Sequence, residues 1–162
     1  MERSLTLRGE IAVGSLAGIA GGITIDVFLF AVQLAGGTPP ARLSALYAFI
    51  ASVLLGPSAY ANPAAVPLGI VLQFCVAVGW ALGYVHLARS QRQLLTEPWL
   101  SGAAFGVVVY VFMQIVVLTA GQYHRPGSPG ELTTQLVAYV VFYGIPVALV
   151  ASRLLRPSTG SG

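Results

Sequence analysis

Hydrophobic residues are gathered into four long stretches, separated by polar or proline-containing segments. The stretches cover residues 11–34, 66–88, 99–120 and 132–155, each 22 to 24 residues long. A helix rises about 1.5 Å per residue, so each stretch is long enough to cross a hydrocarbon core about 30 Å thick. The pattern predicts an all-α membrane protein, with a four-transmembrane-helix bundle forming a single integral-membrane domain over residues 1–162.

A shorter apolar segment follows the first stretch, at about residues 42–55. It is bounded by Pro39-Pro40 and Gly56-Pro57, which are turn or helix-breaking signals. The segment is too short to span the membrane and too apolar to lie free in water, so we expect a re-entrant or interfacial helix. A fifth true span is the alternative, although it would place the two ends of the chain on opposite sides of the membrane.

Glycines spaced four residues apart form rows on one face of the predicted helices. Such rows usually let helix backbones approach closely, and a lipid, quinone or carotenoid lying in the groove is the alternative reading. No other cofactor is expected. The predicted helix-packing residues are Gly14, Gly18, Gly22, Gly79, Gly83, Gly102 and Gly106.

Asp26 continues the first glycine row by one turn, and a carboxyl inside a membrane span is a candidate functional group because its burial is costly. An internal duplication gives it counterparts: an offset of 88 residues places Asp26 on Gln114, and an offset of 62 places Gln73 on Gln135. We therefore predict two parallel hairpin repeats, with an intramembrane polar cluster of Asp26, Gln73, Gln114 and Gln135. Asp26 is interpreted either as a structural carboxyl held by hydrogen bonds, or as a proton or cation site or a contact to an arginine of a partner protein.

Composition and charge agree with a membrane location. Hydrophobic residues make up 56% of the chain and charged residues only 8%, against about 25% charged in soluble domains. The net charge of +3 is too small and dispersed to indicate nucleic-acid binding. Arginines near the span ends predict that both termini are cytoplasmic. One side carries Arg3, Arg8, Arg89, Arg92, Arg153 and Arg156, and the other carries Arg42 and Arg125.

Candidate chemistry is sparse. The sequence contains no nucleophile elbow, phosphate-binding glycine loop or paired carboxylates, so we predict no catalytic residues and no enzyme activity. His86 and His124 fall on opposite sides of the predicted membrane and cannot share a metal ion. Cys75 is the only cysteine, which excludes an intrachain disulfide, and its apolar surroundings predict a buried, packed thiol. Gly144 and Pro146 predict a kink in the last stretch.

Short motifs resemble the YagU-like family of small bacterial inner-membrane proteins, whose biochemical activity is not established. The shared features are the glycine-rich first stretch, the Pro39-Pro40 pair after it, and Gly83-Tyr84 late in the second stretch. The resemblance implies a bacterial inner-membrane location and a four-helix core. It supplies no reaction, and Gln73 and Gln135 stand where the family tends to have histidines.

Two functional hypotheses follow. The first is a non-catalytic membrane subunit or packing module, surrounded by lipid, that associates with other membrane proteins or with itself through glycine-rich faces. The second is a small oligomeric transporter or channel that uses Asp26 as its proton or cation site.

Overall fold

The computed structural model describes residues 7–119 and 128–155, and every regular element in those ranges is helical. Two segments of 3₁₀ helix, Pro40–Arg42 and Gly56–Ala61, flank the α-helix at Ala45–Leu55. A π-helical segment, Ala138–Gly144, joins the last two α-helices of the described residues. The α-helices are α1 (Leu7–Ala35), α2 (Ala45–Leu55), α3 (Ala65–Ser90), α4 (Gln93–Thr96), α5 (Pro98–Thr119), α6 (Pro129–Val137) and α7 (Ile145–Leu155).

Five helical stretches within the described residues are long and apolar enough to cross a membrane, which is typical of a multi-pass membrane protein. Four of them match the predicted stretches to within four residues at each end. The fifth differs from the prediction, because 3₁₀ turns extend the expected short helix to 22 residues, Pro40–Ala61. The five stretches are Leu7–Ala35, Pro40–Ala61, Ala65–Ser90, Pro98–Thr119 and Pro129–Leu155.

Helices α1 and α3 pack antiparallel along the glycine row of α1. A Cβ atom on Gly18 would lie 2.5 Å from the Cα of Val78, and one on Gly22 would lie 2.9 Å from the Phe74 ring. One turn before Gly18, a Cβ on Gly14 would overlap the Leu82 side chain. As the chain advances along α1, its contacts therefore move backward along α3, and only glycine permits this approach.

Helix α5 packs in a similar way against the last membrane stretch. A Cβ on Gly102 would lie 2.7 Å from the carbonyl oxygen of Gly144, and one on Gly106 would lie 2.6 Å from the Cα of Val140. A second face of α1 completes the bundle, because a Cβ on Gly21 would lie 2.8 Å from the Val147 side chain of α7. The core of the bundle consequently contains many alanines and glycines, and α1 contributes to two of its interfaces.

The predicted irregularity near Gly144 and Pro146 takes the form of the π-helical segment. Pro146 has no backbone N–H, so the carbonyl of Phe142, four residues earlier, lacks its α-helical donor. The hydroxyl of Thr24 on α1 donates to that carbonyl instead. A side chain from a neighbouring helix therefore bonds to a backbone carbonyl whose α-helical donor position is occupied by a proline.

Helix α2 packs on the start of α3. Gly69 touches the backbone of Tyr47 so closely that a Cβ would overlap the Tyr47 carbonyl. A small buried cluster, comprising Ala48, Ala51, Ala59 and Ala65, holds the rest of the segment in place. Helix α2 ends at Gly56, whose φ of 64° lies in the left-handed region that glycine adopts without strain.

Candidate functional site

Asp26 is the centre of a hydrogen-bonded group formed by three helices. Its side chain is buried, with 5% relative exposure. The hydroxyl of Tyr47 on α2 donates to its Oδ2 atom at 2.9 Å, and the Nε2 atom of Gln73 on α3 donates to its Oδ1 atom at 3.0 Å. Both carboxyl oxygens are therefore held by side chains from other helices, as expected for a polar group in hydrocarbon.

Gln114 and Gln135 form a second polar pair, between α5 and α6. The Nε2 atom of Gln114 donates to the Oε1 atom of Gln135 at 2.5 Å. Among the described residues, no hydrogen bond connects this pair to Asp26 or Gln73. The structure thus brings the four predicted polar residues together as two pairs. One pair lies in the first hairpin, formed by α1 and α3, and the other lies in the second hairpin, formed by α5 and the last stretch, Pro129–Leu155.

The two hairpins use equivalent positions for equivalent contacts. The sequence offsets relate the contacts of the two hairpins. Adding 88 to a residue number in α1, and 62 to the number of its contact residue in α3, gives a contact pair of the second hairpin. The corresponding pairs are Gly14–Leu82 with Gly102–Gly144, Gly18–Val78 with Gly106–Val140, and Asp26–Gln73 with Gln114–Gln135. Close helix approach and the polar pair therefore recur at matching levels in both hairpins.

Tyr47 is the member of the site that sequence reasoning missed. It lies in an apolar segment without a polar spacing pattern, so its sequence context does not distinguish it from an ordinary packed aromatic residue. Its hydroxyl bonds to Asp26, while its ring makes an edge contact with Phe30, the centroids being 5.8 Å apart. The one available signal is that a phenol buried in hydrocarbon usually needs a hydrogen-bond partner.

The predicted packing glycines fall into two groups. The first group lies at close helix contacts inside the chain and comprises Gly14, Gly18, Gly22, Gly102 and Gly106. Helix α3 lies against the glycine row of α1, which is the groove considered above for a lipid, quinone or carotenoid. Gly79 and Gly83 form no close contact within the described part of the chain, because a Cβ on either would meet no described atom within 4 Å.

Cys75 also differs from its prediction, since its thiol is exposed rather than buried. It lies one helical turn before Gly79 and faces the same side of α3. We call Cys75, Gly79 and Gly83 the open α3 face. Periodicity alone could not predict its direction, because helix faces toward lipid and faces toward protein are both apolar in a membrane.

A gap filled by aromatic side chains separates α3 from α5. The Trp80 ring makes edge contacts with Phe105 and Phe112, at centroid distances of 6.4 and 5.0 Å. Toward one end of the gap, the Tyr84 hydroxyl lies 2.8 Å from Oγ of Ser101. The two hairpins therefore meet here through large side chains rather than through glycine contacts.

Two acidic side chains near helix ends have structural partners. Glu10 at the start of α1 forms an ion pair with Arg89 at the end of α3, and Glu131 forms a capping box with Ser128 at the start of α6. The described residues contain no group of three His, Cys, Asp or Glu side chains able to hold a metal ion. His86 is exposed on α3, whereas His124 lies outside the described residues.

Comparison with known proteins provides no assignment. No family model matches the chain, and neither a curated protein nor a solved structure matches it. Function is therefore inferred from the residues and contacts described above.

Proposed function

We propose that the protein is a non-catalytic integral-membrane packing module that associates with another membrane-spanning helix through the open α3 face. The observation that supports this assignment is the contrast between the glycines. Five of the seven predicted packing glycines are used inside the chain, whereas Gly79 and Gly83 meet no described atom within 4 Å.

The spacing of the open α3 face suits a helix partner. Gly79 and Gly83 form a small-xxx-small pair, which lets the backbone of a second helix approach closely and gain van der Waals contact that lipid chains do not provide. The engagement of both Asp26 oxygens in hydrogen bonds within the chain supports a structural role for that carboxyl.

The proposed topology has four spans, namely α1, α3, α5 and the last stretch, Pro129–Leu155. Antiparallel packing of α1 and α3 supports it, because a segment between two antiparallel spans must begin and end at the same membrane surface. Pro40–Ala61 is then a re-entrant or interfacial segment. The arginine distribution supports cytoplasmic termini, and the ion pair between Glu10 and Arg89 is consistent with one surface for both helix ends.

The proposed origin of the bundle is duplication of one hairpin, supported by the matching contact pairs in the two halves. A bacterial inner-membrane location and membership of the YagU-like family remain proposals that depend on the sequence motifs.

Cys75 provides a direct test of the packing function, since it lies on the proposed interface. Native membranes are treated with a short thiol-reactive cross-linker, and the protein is then gently solubilised and purified. We expect a cross-linked product of defined size, and we expect Gly83→Leu to abolish it by separating the helices. Val111→Leu is the matched control, because Val111 is half exposed on α5, away from this face. A product that survives Gly83→Leu, or a protein that always purifies as a monomer, would contradict the proposal.

A small oligomeric transporter is the second candidate, favoured by one observation: Asp26 is a buried carboxyl whose partner Gln73 lines a cavity. The test is Asp26→Asn in liposomes, with proton and cation flux as the readout. Lost flux with unchanged complex formation would favour transport over packing. Flux equal to that of the original protein would reject the transporter.

A further inference from the structure

We propose that one water molecule binds between the two hairpins and bridges the side chains of Gln73 and Tyr139. The inference goes beyond the packing function, because it assigns a ligand to the space between the two hairpins and holds whichever partner binds the open α3 face.

The site is a cavity between α3 and the second hairpin. Its volume is about 20 Å³, which is enough for one water molecule and too small for a quinone ring or a pigment. The residues around it come from four helical segments. They are Ile25, Gln73, Val76, Ala77, Trp80, Val109, Met113, Tyr139 and Tyr143.

Polar groups with unused hydrogen-bonding capacity line this cavity. The Nε2 atom of Gln73 donates to Asp26, which leaves the Oε1 atom of Gln73 as an acceptor. The side chains of Tyr139 and Trp80 have no hydrogen-bond partner among the described residues. Tyr143 differs, because its hydroxyl donates to the carbonyl of Ala77 at 2.6 Å.

A water molecule satisfies these groups better than an apolar ligand does. Buried waters typically make about three hydrogen bonds to polar groups that lack partners. Here, water can donate to Oε1 of Gln73 and accept from the Tyr139 hydroxyl. Both groups thereby gain a polar partner in a hydrocarbon environment, where an unmade hydrogen bond is costly.

The water would extend the hydrogen bonds around Asp26 into the other hairpin. Hydrogen bonds already connect Tyr47 to Asp26 and Asp26 to Gln73. The water would add Tyr139, from the π-helical segment, to this chain of hydrogen bonds. The ring of Tyr139 is held between Tyr110 and Tyr143, at centroid distances of 6.0 and 6.5 Å. These contacts hold the Tyr139 ring beside the cavity that it lines.

Water-edited solid-state NMR of the full-length protein in phospholipid bilayers tests the proposal. With labelled glutamine and tyrosine side chains, we expect magnetisation from water to reach Gln73 and Tyr139 together, and to reach Tyr143 more weakly. Tyr139→Phe removes one of the two bridged groups, so the Gln73 signal should fall. Tyr110→Phe is the matched control. Its hydroxyl lies 3.4 Å from the Leu132 carbonyl, outside the cavity, and its loss should leave the Gln73 signal unchanged.

Three results would overturn the proposal. The first is magnetisation that reaches Gln73 from lipid acyl chains instead of from water. The second is a Gln73 signal that is equal in Tyr139→Phe and Tyr110→Phe. If Tyr139→Phe does not fold, Val76→Phe places a ring into the cavity from its more exposed side, where Val76 is 40% exposed. A folded Val76→Phe protein that keeps the full water signal is the third contradictory result.

Discussion

Substitution of Gly18 by alanine tests the antiparallel contact between α1 and α3. The added Cβ would lie 2.5 Å from the Val78 Cα and 2.9 Å from the Ala77 carbonyl oxygen. Ordinary carbon–carbon contact requires about 3.5 Å, so the two helices must separate by about 1 Å. Both nearby atoms belong to the backbone, and neither can be relieved by rotating a side chain.

The expected destabilisation follows from that separation. A gap of about 1 Å forfeits up to half of the dispersion energy of the contacts concerned, and overpacking a close interface typically costs about 1–3 kcal/mol. Alanine also favours a helix over glycine by about 0.5–1 kcal/mol. Gly83→Ala has the same helix-favouring effect without a clash, because no described atom lies within 4 Å of the added Cβ. We therefore expect Gly18→Ala to be about 1–3 kcal/mol less stable than Gly83→Ala.

Reversible unfolding in mixed micelles with increasing SDS measures this difference. Fluorescence of Trp80, which packs against Phe105 and Phe112, reports the separation of α3 from α5. Equal free energies of unfolding for Gly18→Ala and Gly83→Ala would refute the close approach at Gly18.

Two polar contacts are tested by the same unfolding assay. Thr24→Val removes the hydroxyl that donates to the Phe142 carbonyl, and we expect a loss of about 0.5–1.5 kcal/mol because one interhelical hydrogen bond is lost. Among the described residues, the Thr119 hydroxyl bonds only to carbonyls of its own helix, so a Thr119→Val protein as unstable as Thr24→Val would contradict this reasoning. For Gln114 and Gln135, a double-mutant cycle with leucine should give a favourable coupling of about 1 kcal/mol or less. A coupling of zero would show that the amide pair does not form.

Much of the helix layout is predictable from sequence, because long apolar stretches bounded by polar or proline-containing segments leave little choice of position. The offsets of 88 and 62 residues, which are visible in the sequence itself, also identify positions whose contacts correspond in the two hairpins. Glycine spacing marks the close contacts at Gly14, Gly18 and Gly22. Helix boundaries and pairs of equivalent positions are thus encoded locally.

Other features depend on which neighbour a helix face meets, and this cannot be read from a helix that is apolar on all sides. Gly79 and Cys75 face outward for this reason, although their local sequence resembles that of the packed glycine row. The bond from Tyr47 to Asp26 requires the fold of the whole segment between α1 and α3. Likewise, Gly144 and Pro146 indicate an irregular helix, but the donor that satisfies the Phe142 carbonyl comes from a distant part of the chain.

The two faces of α1 have a consequence for the order in which the chain matures. Contacts of Gly14, Gly18 and Gly22 with α3 become possible once residue 90 has been made, whereas Gly21 contacts Tyr143 and Val147 of the second hairpin. At a synthesis rate of about 5–20 residues per second, Tyr143 follows residue 90 by roughly 3–10 s. During that interval the first hairpin is assembled while its Gly21 face remains uncovered. A nascent chain therefore exposes this face to lipid or to the insertion machinery. The second hairpin must then displace the lipid or protein in contact with this face.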